Sequence, residues 1–367
     1  MRIQLVDPSA FTPPYDHALA AALARAGVDV ELVTSRFLYG PVPRADGYRV
    51  TEHFYRRTAR RGLEGRGRVA LKLAEHVPDM LRYRRKAAKA DLVHYQWLTV
   101  QPLDVWLLPP RRPRVLTAHD ILPREPRPRQ LAATRRLVGR MDAVIAHSEH
   151  GAARLRTELG LEADRVDVIP HGAFDYLTRL PEERSLPAEL AAVEGPVAMF
   201  FGLLRPYKGL DVLLDAWRSV EADAELWIVG MPRMDLEPLG RVADQRVRFV
   251  PRFVRDPEIP AFFRRADVVV LPYREIDQSG VLFTAMAFGK AVVLSDVGGF
   301  SELGVGRMVP AGDPAALRSA LTSLLTDASE RRHLGQQALA AAAGPYSWDR
   351  VAEQTLALYE DLLGRSR

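Results

Sequence analysis

Short apolar runs alternate with helical patterns along most of the chain. In the first half the runs are Arg2–Asp7, Val28–Thr34, Asp91–Gln96, Arg114–His119, Asp142–Ala146 and Val166–Ile169. Each is short, bounded and largely apolar, as expected of a strand buried on both faces of a sheet. The first helical stretch between them, about Tyr15–Ala26, ends at Gly27, a helix-stop residue. Strands alternating with helices predict βαβ units in a doubly wound parallel sheet. The periodicity fades over His171–Pro196, where the linker between two domains is expected. A second alternation then follows at Val197–Phe201, Glu225–Val229, Val247–Val250, Asp267–Leu271 and Ala291–Ser295, which predicts a second doubly wound domain. Tyr346–Gly364 closes the chain with an apolar stripe of Val351, Ala352, Leu358, Tyr359 and Leu362, a terminal helix expected to dock across the domain junction.

Two strand-to-helix turns of the second domain carry candidate chemistry. In Phe200–Trp217 the strand ends at Gly202, and Arg205, Pro206, Tyr207 and Lys208 form a stiff cationic loop. Gly209 then opens a helix whose apolar face is Leu210, Leu213, Leu214 and Trp217. Cations beside a helix N-terminus favour an anion such as a diphosphate, through free amides and the helix dipole. Arginine offers a planar fork to phosphate oxygens, and lysine a mobile point charge. In Pro272–Gly289 the strand ends in a polar loop, and Ser279-Gly280 begins the helix that stops at Gly289. Gly280 permits close backbone approach, Ser279 offers a hydroxyl, and Val281 stands among the first amides. Glu275 and Asp277 are placed to accept hydrogen bonds from sugar hydroxyls. Taken alone, each feature also fits an ordinary surface loop.

Composition narrows the setting. The 367 residues suffice for two domains with full cores, and with no cysteine there is neither a disulfide nor a thiolate metal site. The first residues, MRIQLVDPSAFTPP, do not form a signal peptide, and no apolar run reaches the roughly 20 residues of a spanning helix. A cytoplasmic location is therefore expected. Of 51 basic residues 46 are arginine, so scattered arginines carry little weight. The formal charge of +5 is local in origin: His53–Ala90 holds twelve basic and three acidic residues, interleaved with Phe54, Tyr55, Leu63, Leu71, Leu73, Met80, Leu81 and Tyr83. A basic amphipathic segment of this kind suits an anionic membrane surface or an acidic acceptor. A solvated helix pair fits it as well.

Several chemistries are disfavoured. No Gly-x-Gly-x-x-Gly follows the first strand, which argues against a nicotinamide site, and Phe288-Gly289-Lys290-Ala291 lacks the features of a P-loop. No His-x-x-x-His or Asp-x-Asp pair suggests a metal site. His119 and Asp120 close a strand, where ligands bind in open α/β sheets. His94, His147 and His171 also end or follow strands and read as structural.

The segments FFGLLRPYKGLDVLLDAW, PYREIDQSGVLFTAMAFGKAVVLSDVGG, RVDVIPHG, TAHD and YSWDRVAEQTLALYEDLL together resemble the family-4 retaining glycosyltransferases. The resemblance covers nearly the whole chain. It implies the α/β GT-B fold, with two Rossmann-like domains facing a cleft and a C-terminal helix crossing back to the first. Domains are expected at residues 1–180 (acceptor-binding), 181–345 (nucleotide-sugar-binding) and 346–367 (the returning helix). The family's diphosphate-binding pair falls on Arg205 and Lys208, and its cleft histidine on His119; these three are the candidate catalytic residues. Gly202, Glu275, Asp277, Ser279, Gly280, Val281 and Thr284 join the donor side, and Tyr15, Asp16, His17, His119 and Asp120 the acceptor side. The chain departs from the family at its usual pair of glutamates, whose positions hold Ile276 and Thr284, and FTPPYD stands where a double-glycine loop is usual.

The resemblance implies a metal-independent, retaining enzyme without a cofactor. It would move a sugar from a nucleoside-diphosphate sugar to a hydroxyl of a glycolipid, polysaccharide or natural-product glycan. Its partners would be the donor and a glycan, lipid-linked or small-molecule acceptor, not nucleic acid. Residues 53–90 are expected to touch an anionic membrane at its inner face. The alternatives are a catalytically silent GT-B binding subunit and a GT-B nucleotide-sugar epimerase.

Overall fold

The computed structural model describes residues 1–60, 65–110, 113–122 and 129–365. Arg61, Leu63 and Glu64 of the basic segment lie outside the described residues. Two units result, one formed by Met1–Pro170 with the chain from Trp348 onward, the other by His171–Ser347.

Seven strands form the first sheet: β1 (Arg2–Asp7), β2 (Asp29–Ser35), β3 (Arg49–Phe54), β4 (Leu92–Tyr95), β5 (Arg114–Thr117), β6 (Ala143–Ala146) and β7 (Val166–Val168). All pair in parallel, in the order β3-β2-β1-β4-β5-β6-β7. The order reverses between β1 and β4, and at such a switch point the crossovers leave in opposite directions and open a crevice at the carboxyl ends. Val6, Val93, Leu116 and Val144 pack with Met80, Tyr83 and Leu155 into one core on this sheet.

The second sheet comprises β8 (Val197–Phe201), β9 (Glu225–Val229), β10 (Val247–Val250), β11 (Val268–Leu271), β12 (Ala291–Ser295) and β13 (Arg307–Val309). It is parallel in the order β10-β9-β8-β11-β12-β13, with its switch point between β8 and β11. The two informative turns of the sequence therefore follow the two strands that flank this switch point.

The sequence does not signal β3 and β13. Both are edge strands, and both are too polar or too short to make an apolar run. The first unit ends at Pro170, ten residues short of the division expected at 180. Ala173 lies in the second core, and its amide donates to the Tyr346 carbonyl at 2.8 Å. The terminal helix, Trp348–Arg365, packs on helix Pro13–Arg25 of the first unit. Tyr15 and Trp348 meet edge to face at 5.0 Å, and Arg25 pairs with Asp349 at 2.6 Å. Among the described residues no helix is long and apolar enough to cross a membrane.

Candidate active site

In the second unit the chain turns sharply twice around the loop after β8. Gly202 has φ +108°, and a Cβ there would stand 3.1 Å from both Lys208 Nζ and Val281 Cγ2. This glycine is what lets Lys208 fold back under the strand end beside the helix Gly280–Ala287. The Lys208 side chain is buried, with Nζ 5.1 Å from the Tyr273 ring centre. Pro206–Lys208 forms one 3₁₀ turn, and the Lys208 amide donates to the Arg205 carbonyl at 3.0 Å. Arg205 is exposed, and its guanidinium has no partner among the described residues.

The two turns are stitched together. Arg274, just beyond β11, donates its amide to the Tyr207 carbonyl at 2.8 Å and its guanidinium to the Pro206 carbonyl at 3.1 Å. The same guanidinium grips Asp211 with two hydrogen bonds of 2.9 and 2.5 Å. Gly209, at φ +68°, lies so close to the exit of β11 that a Cβ would meet the Pro272 carbonyl oxygen at 1.9 Å.

Helix Gly280–Ala287 presents the amides of Gly280 and Val281, which have no acceptor among the described residues. Ser279 is buried, with its hydroxyl 3.5 Å from that of Tyr273. Lys208, Tyr273 and Ser279 thus form one buried polar cluster at the switch point. Thr284 turns inward and donates to the Gly280 carbonyl at 2.9 Å, while Ile276 is buried among apolar neighbours. The two positions where the family carries glutamates thus present no carboxylate. Glu275 is exposed and Asp277 half-buried. The sequence reading missed Gln278, whose Oε1 is buried without a partner among the described residues. An unsatisfied buried acceptor is costly, and it stands immediately before Ser279-Gly280, where a donor's hydroxyl could satisfy it.

In the first unit the carboxyl ends of β4, β5 and β6 bring together Gln96, His119 and His147. His147 Nδ1 lies 2.9 Å from the Ile169 carbonyl, which only accepts. Burial pushes the His147 pKa down to about 4, so the ring is neutral at pH 7 and turns a lone pair on Nε2 toward His119 Nδ1, 3.4 Å away. His119 then donates from Nδ1. Its Nε2 lies 3.1 Å from the Gln96 amide, whose two ends are interchangeable in assignment. The His119 ring stacks on Trp97 at 5.2 Å and meets the edge of Tyr15 at 4.7 Å. It borders a cavity of about 240 Å³ whose polar lining includes Gln96, Asp120 and Gln130. Asp120 is exposed there, whereas Tyr15, Asp16 and His17 are buried. Tyr15 packs on His119, Asp16 accepts from Thr12, and His17 pairs with the Tyr48 hydroxyl at 2.6 Å.

This buried set makes stability pH-dependent. Burial pushes His94 down to about 3 and His17 to about 4. The unfolded imidazole titrates near 6.5. The stability these neutral rings supply is therefore complete above pH 6.5 and is lost as pH falls toward 4. Asp16 acts oppositely, because burial first, then the charge of Asp7, raise its pKa, so acidification favours the folded state through that group. Melting temperature should fall from pH 6.5 to 4.5, less steeply in His94→Gln and more steeply in Asp16→Asn. Parallel profiles in all three proteins would contradict this assignment.

Two parallel, doubly wound units with a returning terminal helix constitute the GT-B architecture. Over its full length the chain superposes on a sucrose-phosphate synthase from Thermosynechococcus elongatus (TM-score 0.76, 22% identity, 100% of both chains covered). It also matches Anabaena HepE in complex with UDP and glucose (TM-score 0.72, 21% identity, covering 98% of this chain and 100% of that one). The family pattern described as Glycosyltransferase Family 4 matches residues 15–173, and that described as Glycosyl transferases group 1 matches residues 195–327. A D-inositol 3-phosphate glycosyltransferase from Jonesia denitrificans is 30% identical over 93% of this chain and 89% of its own length. The chain belongs to this glycosyltransferase family.

Proposed function

We propose that the chain is a retaining, metal-independent transferase acting on a nucleoside-diphosphate sugar. The observation that carries this reading is the convergence at the β8/β11 switch point. There Lys208 is folded under Gly202, Arg205 stands exposed at the same turn, and the Gly280 and Val281 amides lack an acceptor among the described residues. The solved neighbour's UDP supports a uridine diphosphate as the first donor to try.

In the proposed reaction the bond between the anomeric carbon and the diphosphate oxygen breaks. The acceptor oxygen bonds to that carbon on the same face, and its proton passes to the leaving diphosphate. Arg205, Lys208 and the two amides meet the charge that grows on the leaving group, usually the largest catalytic contribution. With both glutamate positions lost, Gln278 and Asp277 take over hydrogen bonding to the donor. The acceptor is a hydroxyl of a glycolipid, polysaccharide or small glycan, held by the first unit beside His119 and Asp120. A titration panel of UDP, GDP and ADP tests the reading, and absence of binding by all three would exclude it. Nucleotide binding without turnover on any donor would favour a silent binding subunit, the reading that Ile276 and Thr284 motivate.

If His119 borders the reacting groups, His119→Ala should lower turnover at least a hundredfold while nucleotide still binds and the protein stays folded, at a lower melting temperature because the ring is buried. Loss of folding together with activity would make it a packing residue.

The helix Gly65–Ala87 supports a cytoplasmic location at the membrane's inner face. Val69, Leu73 and Leu81 are exposed along one side, with Arg66, Arg82 and Arg85 around them. Each basic residue near an anionic surface adds about 1 kcal/mol. Co-sedimentation should therefore occur with anionic vesicles at low salt and not with neutral ones.

A further inference from the structure

The first unit carries a second concavity that the donor chemistry leaves unused. It lies at the carboxyl ends of β1 and β2, lined by Ser9, Ser35, Tyr55, Arg36, Arg68 and Lys72, and none of its eleven lining residues is acidic. Ligands of parallel sheets bind at this end of the strands.

Lys72 decides its chemistry. Helix Gly65–Ala87 turns this side chain inward, and Nζ rests 4.6 Å from the Tyr55 ring centre and 5.8 Å from that of Phe11. Among the described residues no carboxylate or carbonyl accepts from it. Asp7 is close enough to act on its charge but is consumed by the backbone. Its Oδ1 accepts from the Ser9 amide at 3.0 Å, and its Oδ2 from the amides of Phe11 and Thr12 at 2.5 and 3.2 Å. The other nearby acids are spent as well: Glu75 holds the amides of Arg57 and Thr58, and Asp79 holds the Tyr55 amide and Arg82. Burial, followed by the charge of Arg68, lowers the Lys72 pKa. A partly desolvated ammonium whose nearby carboxylate is taken up by backbone amides, and which has no hydrogen-bond acceptor of its own among the described residues, is costly, and an anionic ligand lowers that cost.

Of the flanking cations, Arg68 is held in place. Arg68 donates to the Tyr39 hydroxyl at 2.7 Å, with its guanidinium 5.5 Å from that ring's centre. Arg36 is exposed and also lines an outer trough of about 440 Å³ bounded by Arg56 and Arg60. The inner pocket, about 30 Å³, admits the oxygens of a phosphate but no sugar ring. We propose that it binds the phosphate of a phosphate-bearing acceptor, with Lys72 as the central contact, Arg36 and Arg68 flanking it, and the Ser9 and Ser35 hydroxyls adding hydrogen bonds. This names the acceptor class of the transferase and rests on that reading.

Isothermal titration of the full chain tests it, with inorganic phosphate, a hexose phosphate and the unphosphorylated hexose, and with phosphatidylinositol or phosphatidylcholine vesicles. The phosphate compounds should bind and the bare hexose should not. Lys72→Gln should weaken that binding at least tenfold, and Arg36→Gln about threefold or more. UDP, titrated into the same samples, should bind wild type and both variants equally. Binding confined to phosphatidylinositol vesicles, and lost in Lys72→Gln, would place the phosphate in a lipid headgroup; binding of the soluble compounds would place it on a free acceptor. Phosphate binding that is absent, or identical in wild type and both variants, would overturn the pocket. Absence of UDP binding would overturn the transferase reading instead, and the phosphate titration would still decide the pocket.

Discussion

Replacing Arg205 or Lys208 by alanine is expected to weaken nucleoside-diphosphate binding by about ten- to a hundredfold and to lower turnover further. In the proposed donor site each side chain would supply a charge-assisted hydrogen bond of about 1.5–3 kcal/mol, and about 1.4 kcal/mol is tenfold in affinity. Turnover suffers more because charge on the leaving diphosphate grows in the transition state. The two variants should differ in stability. Arg205 is exposed, so its loss should leave folding intact, whereas Lys208 is buried over Tyr273, and its removal leaves a gap beneath Gly202. Arg205→Lys should recover part of the loss, since the charge returns without the planar fork. Isothermal titration with UDP, beside initial rates, separates the effects. Wild-type affinity in both alanine variants would remove these residues from the donor site.

Gly209→Ala should be among the most damaging single methyl additions in the second unit. Left-handed backbone costs a non-glycine residue about 1–2 kcal/mol. A Cβ at this position would also overlap the Pro272 carbonyl oxygen, at 1.9 Å. Neither backbone yields easily, because Arg274 ties the loop to the β11 exit through the carbonyls of Pro206 and Tyr207 and through Asp211. The loop must shift, taking Lys208 and Arg205 with it. The expected result is a lower melting temperature and at least a tenfold loss of UDP affinity. Gly240→Ala is the control: no atom lies within 4 Å of its added Cβ, and it sits in a helix, where alanine is favoured. Equal behaviour of the two variants would show that the turns are not locked together.

The parts of this site that are legible in the sequence are those that local chemistry encodes. Arg205, Lys208, Ser279 and Gly280 sit on strand-to-helix turns, which apolar runs and glycines mark without a structure. Most central strands were legible for the same reason, since burial on both faces makes them uniformly apolar, as in Val268–Leu271. Edge strands β3 and β13 were not, because the first is largely polar and the second only three residues long. Neither was the fate of a single side chain. Nothing local says that Thr284 bonds its own helix, that Gln278 keeps an unsatisfied oxygen, or that Arg274 is the tie between the two turns. The basic segment shows the limit most clearly. Its excess charge was plain, but the inward turn of Lys72 and the outward turn of Leu73 and Leu81 follow from how helix Gly65–Ala87 packs, not from composition.

The central claim is sugar transfer from a nucleoside diphosphate, with protein groups rather than a metal ion balancing the leaving charge. The most direct measurement incubates the purified chain, in excess EDTA, with a panel of nucleoside-diphosphate sugars and candidate acceptors. It follows release of free diphosphate and the anomeric configuration of the product. The account predicts undiminished turnover with at least one donor, and a product that keeps the donor's anomeric configuration. Activity abolished by EDTA and restored by a divalent cation, or an inverted product, would contradict it.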